Sequence, residues 1–335
     1  DIFSLVKTIF LFTIGAEVIG AILLTIHWSR EFSLLRAVYT AVFHSVSAFC
    51  NAGFALFPNS MMSYSDNVLL NTTICCLIVV GGIGFPVLHD LQAWFVRRNE
   101  NRVRLSIQTK TVLITSMILL VSGALMFAFL ERQALGEAQS FSQRILAPVF
   151  QSVTCRTAGF NTMDIGSLQD GTLAMMIFLM FFGTSPGSCG GGVKTTTLAL
   201  LTTFTLSRVR RRKRVNMFKK SIPNETVTRS VSLVLVSIVI IGLVLFFLLV
   251  GDSAIGHHSA SPRGDFLVYL FETVSAFGTV GLSMGVTPHL NAWGKFWIIL
   301  MMIIGRVGVL TFSYIIVGSG TTNGVEYAEE NLMIG

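Results

Sequence analysis

Uncharged, apolar residues in this chain gather into long runs, without the short alternation of a soluble helix or strand. Residues 2–26 carry only Lys7 and Glu17 as charges, and 67–89 hold no Asp, Glu, Lys or Arg. Residues 111–130 and 231–250 are uncharged, and 296–318 carry only Arg306. Residues 172–206 are longer, but 183–192 interrupt them with one Pro and five Gly. A hydrocarbon core about 30 Å thick needs roughly 20 helical residues, so each run is a candidate crossing. The pattern predicts six crossings, one of them broken.

Between the members of each pair lies a semi-polar stretch too long for a turn: 31–65, 131–170 and 251–294. Each holds a short apolar helical segment followed by a glycine-containing extended piece. Irregular backbone at membrane depth survives only where protein or a water-filled cavity surrounds it, so these read as re-entrant loops. A repeat runs through them. Phe43-His44-Ser45-Val46-Ser47-Ala48-Phe49-Cys50-Asn51-Ala52-Gly53-Phe54 is matched by Phe150-Gln151-Ser152-Val153-Thr154-Cys155-Arg156-Thr157-Ala158-Gly159-Phe160, one residue shorter. The third copy is Phe271-Glu272-Thr273-Val274-Ser275-Ala276-Phe277-Gly278-Thr279-Val280-Gly281-Leu282.

Composition narrows the class. Only 12% of the 335 residues are charged, against roughly 25% in soluble proteins, and 52% are hydrophobic. A water-soluble enzyme could not cover its surface with that set, and disorder needs the opposite balance. The net charge of +7 is concentrated in two linkers. Arg97, Arg98, Arg102, Arg104 and Lys110 lie in one, and Arg208, Arg210, Arg211, Arg212, Lys213, Arg214, Lys219 and Lys220 in the other, 13 of the 24 Lys and Arg. Their place between apolar runs accounts for them by contact with anionic lipid, so nucleic acid is not an expected partner. By the positive-inside rule both linkers are cytoplasmic and the re-entrant loops enter from outside. Five cysteines without paired spacing predict no disulfide framework. No Ser/His pair, metal-ligand cluster or paired intramembrane carboxylates suggests an enzyme. His257 and His258 read as solvated, Glu17 as a packed carboxyl, and 81–86 as close helix packing with a kink.

The third copy contains Thr279-Val280-Gly281-Leu282, close to the T-V-G-Y core of potassium-channel filters. A dehydrated potassium ion needs carbonyl oxygens in place of water. Glycine lets backbone turn without a side-chain clash, and a short helix ending at the cavity offers its partially negative end. With three copies between paired runs, the chain resembles the membrane subunit of the Trk/Ktr/HKT potassium transporter superfamily, of TrkH/KtrB type. That resemblance implies an all-α polytopic membrane protein of tandem helix–pore loop–helix repeats, arranged pseudo-fourfold around a central pore. Three repeats are present, and the family's first is expected upstream of Asp1. The units are then 1–97, 98–215, 216–320 and a cytoplasmic tail, 321–335, whose ending resembles the family's C-terminus.

The resemblance implies potassium uptake, with a sodium-permeable or sodium-coupled transporter as the alternative. It assigns Asn51, Ala52, Gly53, Thr157, Ala158, Gly159, Thr279, Val280 and Gly281 to a filter that binds potassium. The break resembles an intramembrane gating loop, with Gly187, Ser188, Gly190, Gly191, Gly192 and Lys194 as its residues; glycine and proline cannot maintain a helix there, so it can rearrange cheaply. A phosphate-binding loop fails on spacing, because Val193 precedes Lys194 where a Gly is needed. Arg306 must face the protein interior or a water-filled cavity. Two readings are open: a structural ion pair with Glu17 or Glu272, or a positive charge beside the gating loop. The resemblance further implies no cofactor in this chain, a homodimer in the bacterial inner membrane, and a cytoplasmic RCK-type subunit binding NAD or ATP.

Overall fold

A computed structural model describes residues 2–96, 104–136, 141–212, 214–253 and 264–308. Arg97, Arg98, Arg102, Lys213, His257, His258, the last run beyond 308 and the tail 321–335 lie outside the described residues.

Helices make up most of the described chain, and the strand pairing described is a two-rung hairpin in the second basic linker, Asn216–Met217 with Lys220–Ser221, besides one isolated bridge. Three long helices open the three units: α1 (Ile2–Trp28), α5 (Ile107–Leu130) and α10 (Asn224–Ser253). These are the described helices long and apolar enough to cross a membrane unaided. They leave large apolar side chains exposed, including Phe10, Ile19, Leu125, Phe129, Val239 and Phe246, as a lipid-facing surface does. Each is followed by a short re-entrant helix: α2 (Leu34–Phe49), α7 (Phe141–Thr154) and α11 (Asp265–Gly278). The five-residue α6 (Arg132–Gly136) precedes α7. After the repeat glycines the chain climbs back through one 3-10 turn, at Met62–Tyr64, Ile165–Ser167 and Thr287–His289. Glycine-containing extended backbone thus lies inside the fold in all three copies, as the re-entrant reading requires.

The second helix of each pair is shorter than expected. Helix α3 (Val68–Ile83) has 16 residues, α8 (Asp170–Phe181) has 12 and α12 (Ala292–Val307) has 16. The crossing expected over 67–89 is therefore corrected to a broken one, and the break falls inside 81–86, where a kink was expected. At Gly84 the backbone takes φ +94° and ψ 140°, and α4 (Phe85–Val96) leaves at 97° to α3. Gly308 repeats this conformation after α12, with φ +93° and ψ 134°. A residue in that region cannot continue a right-handed helix, and glycine alone enters it without strain. Breaks therefore follow the second helix in the first two units, and the third ends at a glycine of the same conformation as Gly84. The expected one, at 183–192, separates α8 from α9 (Thr195–Val209).

Two buried clusters flank the axis. Leu24, Trp28, Phe49, Leu70 and Ile74 join Phe150 and Phe160 from the second unit. Met176, Met180, Tyr269, Phe271, Phe277 and Met301 join the second and third units. Helices α3 and α12 approach their own re-entrant helices through glycine. A Cβ on Gly81 would collide with the carbonyl of Phe49, and one on Gly305 with that of Phe277.

Candidate functional site: filter and gating loop

The three filter segments have one geometry. The first residue of each lies in the left-handed region (Asn51 φ 51°, Thr157 φ 68°, Thr279 φ 51°), as does the glycine (Gly53 φ 70°, Gly159 φ 86°, Gly281 φ 93°). A threonine there is strained backbone, of the kind that persists only where surrounding structure over-determines it. The over-determining contact is the fifth residue of each repeat. The hydroxyls of Ser47, Thr154 and Ser275 donate to the carbonyls just after the glycine, Phe54, Phe160 and Leu282, at 2.8, 2.5 and 2.7 Å. The carbonyls of the same three residues accept from the middle filter amides of Ala52, Ala158 and Val280 at 2.8, 3.0 and 2.9 Å. Each segment is thus clamped at its amide and at its outer end.

Its own carbonyls stay free. Among the described residues, none of the carbonyls of 51–53, 157–159 and 279–281 accepts a hydrogen bond. The Thr157 and Thr279 hydroxyls are buried and unpaired as well. Buried acceptors are nearly always paired, so a cluster of unclaimed ones suits a partly dehydrated cation. The segments are also adjacent. The bare face of Gly53 meets the Ala158 carbonyl, and that of Gly159 meets Val280. A cavity of about 580 Å³ opens on the remaining side, lined by Ala52 and Phe54 of the first segment and Thr279, Val280, Gly281 and Leu282 of the third. All nine expected filter residues are brought together.

The residues expected to form the gating loop lie directly against these segments. A Cβ on Gly190 would strike the Thr157 hydroxyl, and one on Gly191 would come within 2.5 Å of the Thr279 hydroxyl. The loop is more ordered than its glycines suggest. Phe182 and Val193 form a bridge at its neck, where Gly183 N–H donates to Val193 at 3.0 Å. Inside, Ser188 Oγ donates to Thr184 Oγ1 at 2.7 Å, and Lys194 Nζ to the Gly190 carbonyl at 2.5 Å. Gly192 sits at the neck against Gly278. Outside, Ser185 N–H donates to Gly82 and Phe85 N–H donates to Gly187, both at 3.1 Å. The break in the first unit therefore holds the break in the second. A freely rearranging loop is corrected to a fastened one: its glycines serve close approach to filter and neighbours more than mobility.

Arg306, from the third unit, supplies another fastening: its guanidinium donates to the Cys189 carbonyl. No described ion pair joins it to Glu17 or Glu272. The Glu272 carboxylate is taken up by the Ser283 and Thr287 hydroxyls and the Met284 amide. The ion-pair reading gives way to the loop contact. Glu272 itself was missed as a site residue. It and His44, whose Nε2 accepts from Leu56 N–H at 3.2 Å, fill the second position of the repeat and tie the chain beyond the first and third filter segments to the re-entrant helix of the same copy. Their shared place beside the filter motif was the available signal. Buried Arg156 was missed too, and donates to Ser116 Oγ at 2.9 Å behind the second filter.

Comparison with known proteins agrees with this geometry. The protein-family model TrkH, described as a cation transport protein, matches residues 1–319. The Ktr system potassium uptake protein B of Vibrio alginolyticus is 38% identical over 334 residues, covering 99% of this chain and 70% of its own length. Its Bacillus subtilis counterpart is 36% identical, covering 93% and 67%. The potassium/sodium uptake protein NtpJ of Enterococcus hirae is 34% identical, covering 97% and 70%. The crystal structure of the potassium transporter TrkH from Vibrio parahaemolyticus shares the fold at TM-score 0.69 and 18% identity, over 94% of this chain and 64% of that one. Repeated, clamped filters, a fastened loop against them and a family match along nearly the whole chain lead to one conclusion: this chain belongs to the TrkH family of cation transport proteins.

Proposed function

We propose that this chain forms most of a channel-like pore for potassium uptake. The carrying observation is the threefold clamp that leaves the filter carbonyls unclaimed. An entering potassium ion exchanges water for the carbonyls of Asn51, Ala52, Gly53, Thr157, Ala158, Gly159, Thr279, Val280 and Gly281, aided by the Thr157 and Thr279 hydroxyls. Helices α2, α7 and α11 each end just before a filter segment, so their negative ends favour a cation. The cavity between the first and third segments is the place for a fourth repeat, so three units, 1–97, 98–215 and 216–320, line the rest of the ring. No chemistry is done by the chain and no cofactor acts in it.

Passage is controlled by the loop at 183–193. While Arg306 and the first unit hold it against the filter, the path is shut, and the Arg306 charge adds an electrostatic barrier in a partly dehydrated space. A cytoplasmic RCK-type subunit, binding NAD or ATP, releases it. The relatives named as proteins of a Ktr system support a multi-component assembly. The membrane subunit is a homodimer in the bacterial inner membrane, with its basic linkers and a tail at 321–335 in the cytoplasm. Sodium is a second permeant ion to test, because one relative is named for potassium and sodium uptake.

The test is complementation. The full-length protein should restore growth of a potassium-uptake-deficient bacterium at low external potassium. Gly281→Asp should abolish rescue, because φ of +93° strains any side chain and a carboxylate would intrude on the carbonyl ring. Equal rescue by that variant refutes the pore. Rubidium against sodium uptake in the same cells separates the two ion readings.

A further inference from the structure

The second residue of the repeat differs in chemistry from copy to copy: His44, Gln151 and Glu272. All three are buried on the re-entrant helices, one turn before the clamp hydroxyls of Ser47, Thr154 and Ser275 and so on the same helix face. His44 Nδ1 donates to the Thr40 carbonyl at 2.7 Å, which leaves Nε2 free to accept from Leu56 N–H. The ring also stacks on Phe57, with centroids 5.2 Å apart. Glu272 accepts from Met284 N–H at 3.1 Å and from the Thr287 hydroxyl at 2.9 Å. Leu56 and Met284 occupy one place, three residues beyond Gly53 and Gly281. In these two copies the chain leaving the filter is held twice from one helix face. The first hold is on the carbonyl after the glycine, and the second is on the amide two residues further along.

The second copy lacks that second hold. Among the described residues the Gln151 side chain makes no hydrogen bond, and the hydroxyl of Thr162, three residues beyond Gly159, is unpaired. Its exit chain is held from the first unit instead. Asn161 N–H donates to Ser60 Oγ at 3.2 Å, and Met61 N–H donates to the Asn161 carbonyl at 3.0 Å.

We propose that His44 and Glu272 are positioning residues for ion selectivity, fixing the outer ends of the first and third filter segments at the width a dehydrated potassium ion needs; this rests on the pore reading above. Neither side chain touches the ion. A filter that prefers the larger ion must resist closing its carbonyls around a smaller one, and carbonyls without partners of their own cannot supply that resistance. A hold on the third amide beyond the glycine fixes the peptide planes in between, so the Gly53 and Gly281 carbonyls cannot tip inward. A neutral imidazole does this in one copy and a carboxylate in the other. What they share is an acceptor at one point, so the acceptor matters and the charge does not. Glutamine at position 44 carries an oxygen about as far from the backbone as Nε2, whereas asparagine stops one carbon short. The second copy already places a glutamine on this helix face.

The experiment measures rubidium and sodium uptake by the full-length protein with its regulatory partner in membrane vesicles, normalised to inserted protein. His44→Asn should lower the rubidium-over-sodium ratio about two- to tenfold, the range one neutral hydrogen bond supports, while His44→Gln keeps it. Glu272→Met should lower the ratio and Glu272→Gln should lower it less. Gln151→Met, behind the copy held from elsewhere, should leave it unchanged. If His44→Asn fails to insert, the two Glu272 variants decide by the same comparison. An unchanged ratio in His44→Asn, or an equal fall in His44→Gln, overturns the proposal and leaves the pore standing. An equal fall in Gln151→Met also overturns it, because any change behind a filter segment would then have the same effect. Absence of rubidium uptake by the unaltered protein overturns the pore reading and this proposal together.

Discussion

Replacing Arg306 with alanine should open the path. Three hydrogen bonds from the first and third units hold the loop in place: Ser185 to Gly82, Phe85 to Gly187, and Arg306 to Cys189. A neutral bond contributes about 0.5–1.5 kcal/mol and one from a charged donor about 1.5–3 kcal/mol, so Arg306 supplies roughly half of the external fastening. At about 1.4 kcal/mol per tenfold, its loss raises the open-to-closed ratio between about tenfold and a hundredfold. Removing the charge lowers the barrier to a cation in the same direction, so the two effects add. Lys194 still holds the Gly190 carbonyl, so the loop keeps its internal shape. Arg306→Lys, which keeps the charge and loses the planar fork, should fall between. The assay is rubidium uptake by the full-length protein in vesicles, with and without the regulatory partner, normalised to inserted protein. Uptake by Arg306→Ala should rise and lose most of its dependence on the partner. Normal insertion with unchanged or lower uptake refutes the fastening argument.

Gly305→Ala should lower the melting temperature in detergent at an overpacking cost of about 1–3 kcal/mol, because the new methyl lands on the Phe277 carbonyl; an unchanged melting curve would contradict that contact. Ser275→Ala removes a clamp bond of about 1 kcal/mol from the third filter, so rubidium-over-sodium selectivity should fall while insertion is unaffected. Unaltered selectivity would show that the clamp does not set filter shape. Arg212→Cys, in the second basic linker, should react with a membrane-impermeant maleimide only in inside-out vesicles, and labelling of intact cells would reverse the topology.

What the sequence determined by itself was whatever depends on near neighbours. Apolar runs of about 20 residues with few or no charges mark lipid-facing segments whatever else they touch, so α1, α5 and α10 were legible, as was the glycine-rich interruption after α8. The three glycine-containing segments were legible because they are written three times in nearly the same form, and the repeat also carried the hydroxyl of Ser47, Thr154 and Ser275 in plain view. Only the tertiary structure decided what the hydroxyl does, since its partner lies across a turn whose shape is set by positive φ at two residues. The kink expected at 81–86 is where α3 gives way to α4, but its size was not legible, because the residues flanking Gly84 are apolar and hydropathy does not register a change of direction. The loop at 183–193 looked flexible because helix propensity is a local quantity, whereas its order comes from Gly82, Phe85 and Arg306 in two other units. The same holds for Arg306, whose partner could have been a carboxylate as far as charge and depth could say. Contacts between residues more than a hundred positions apart are set by how three repeats close around one axis, and that closure is a property of the packed fold.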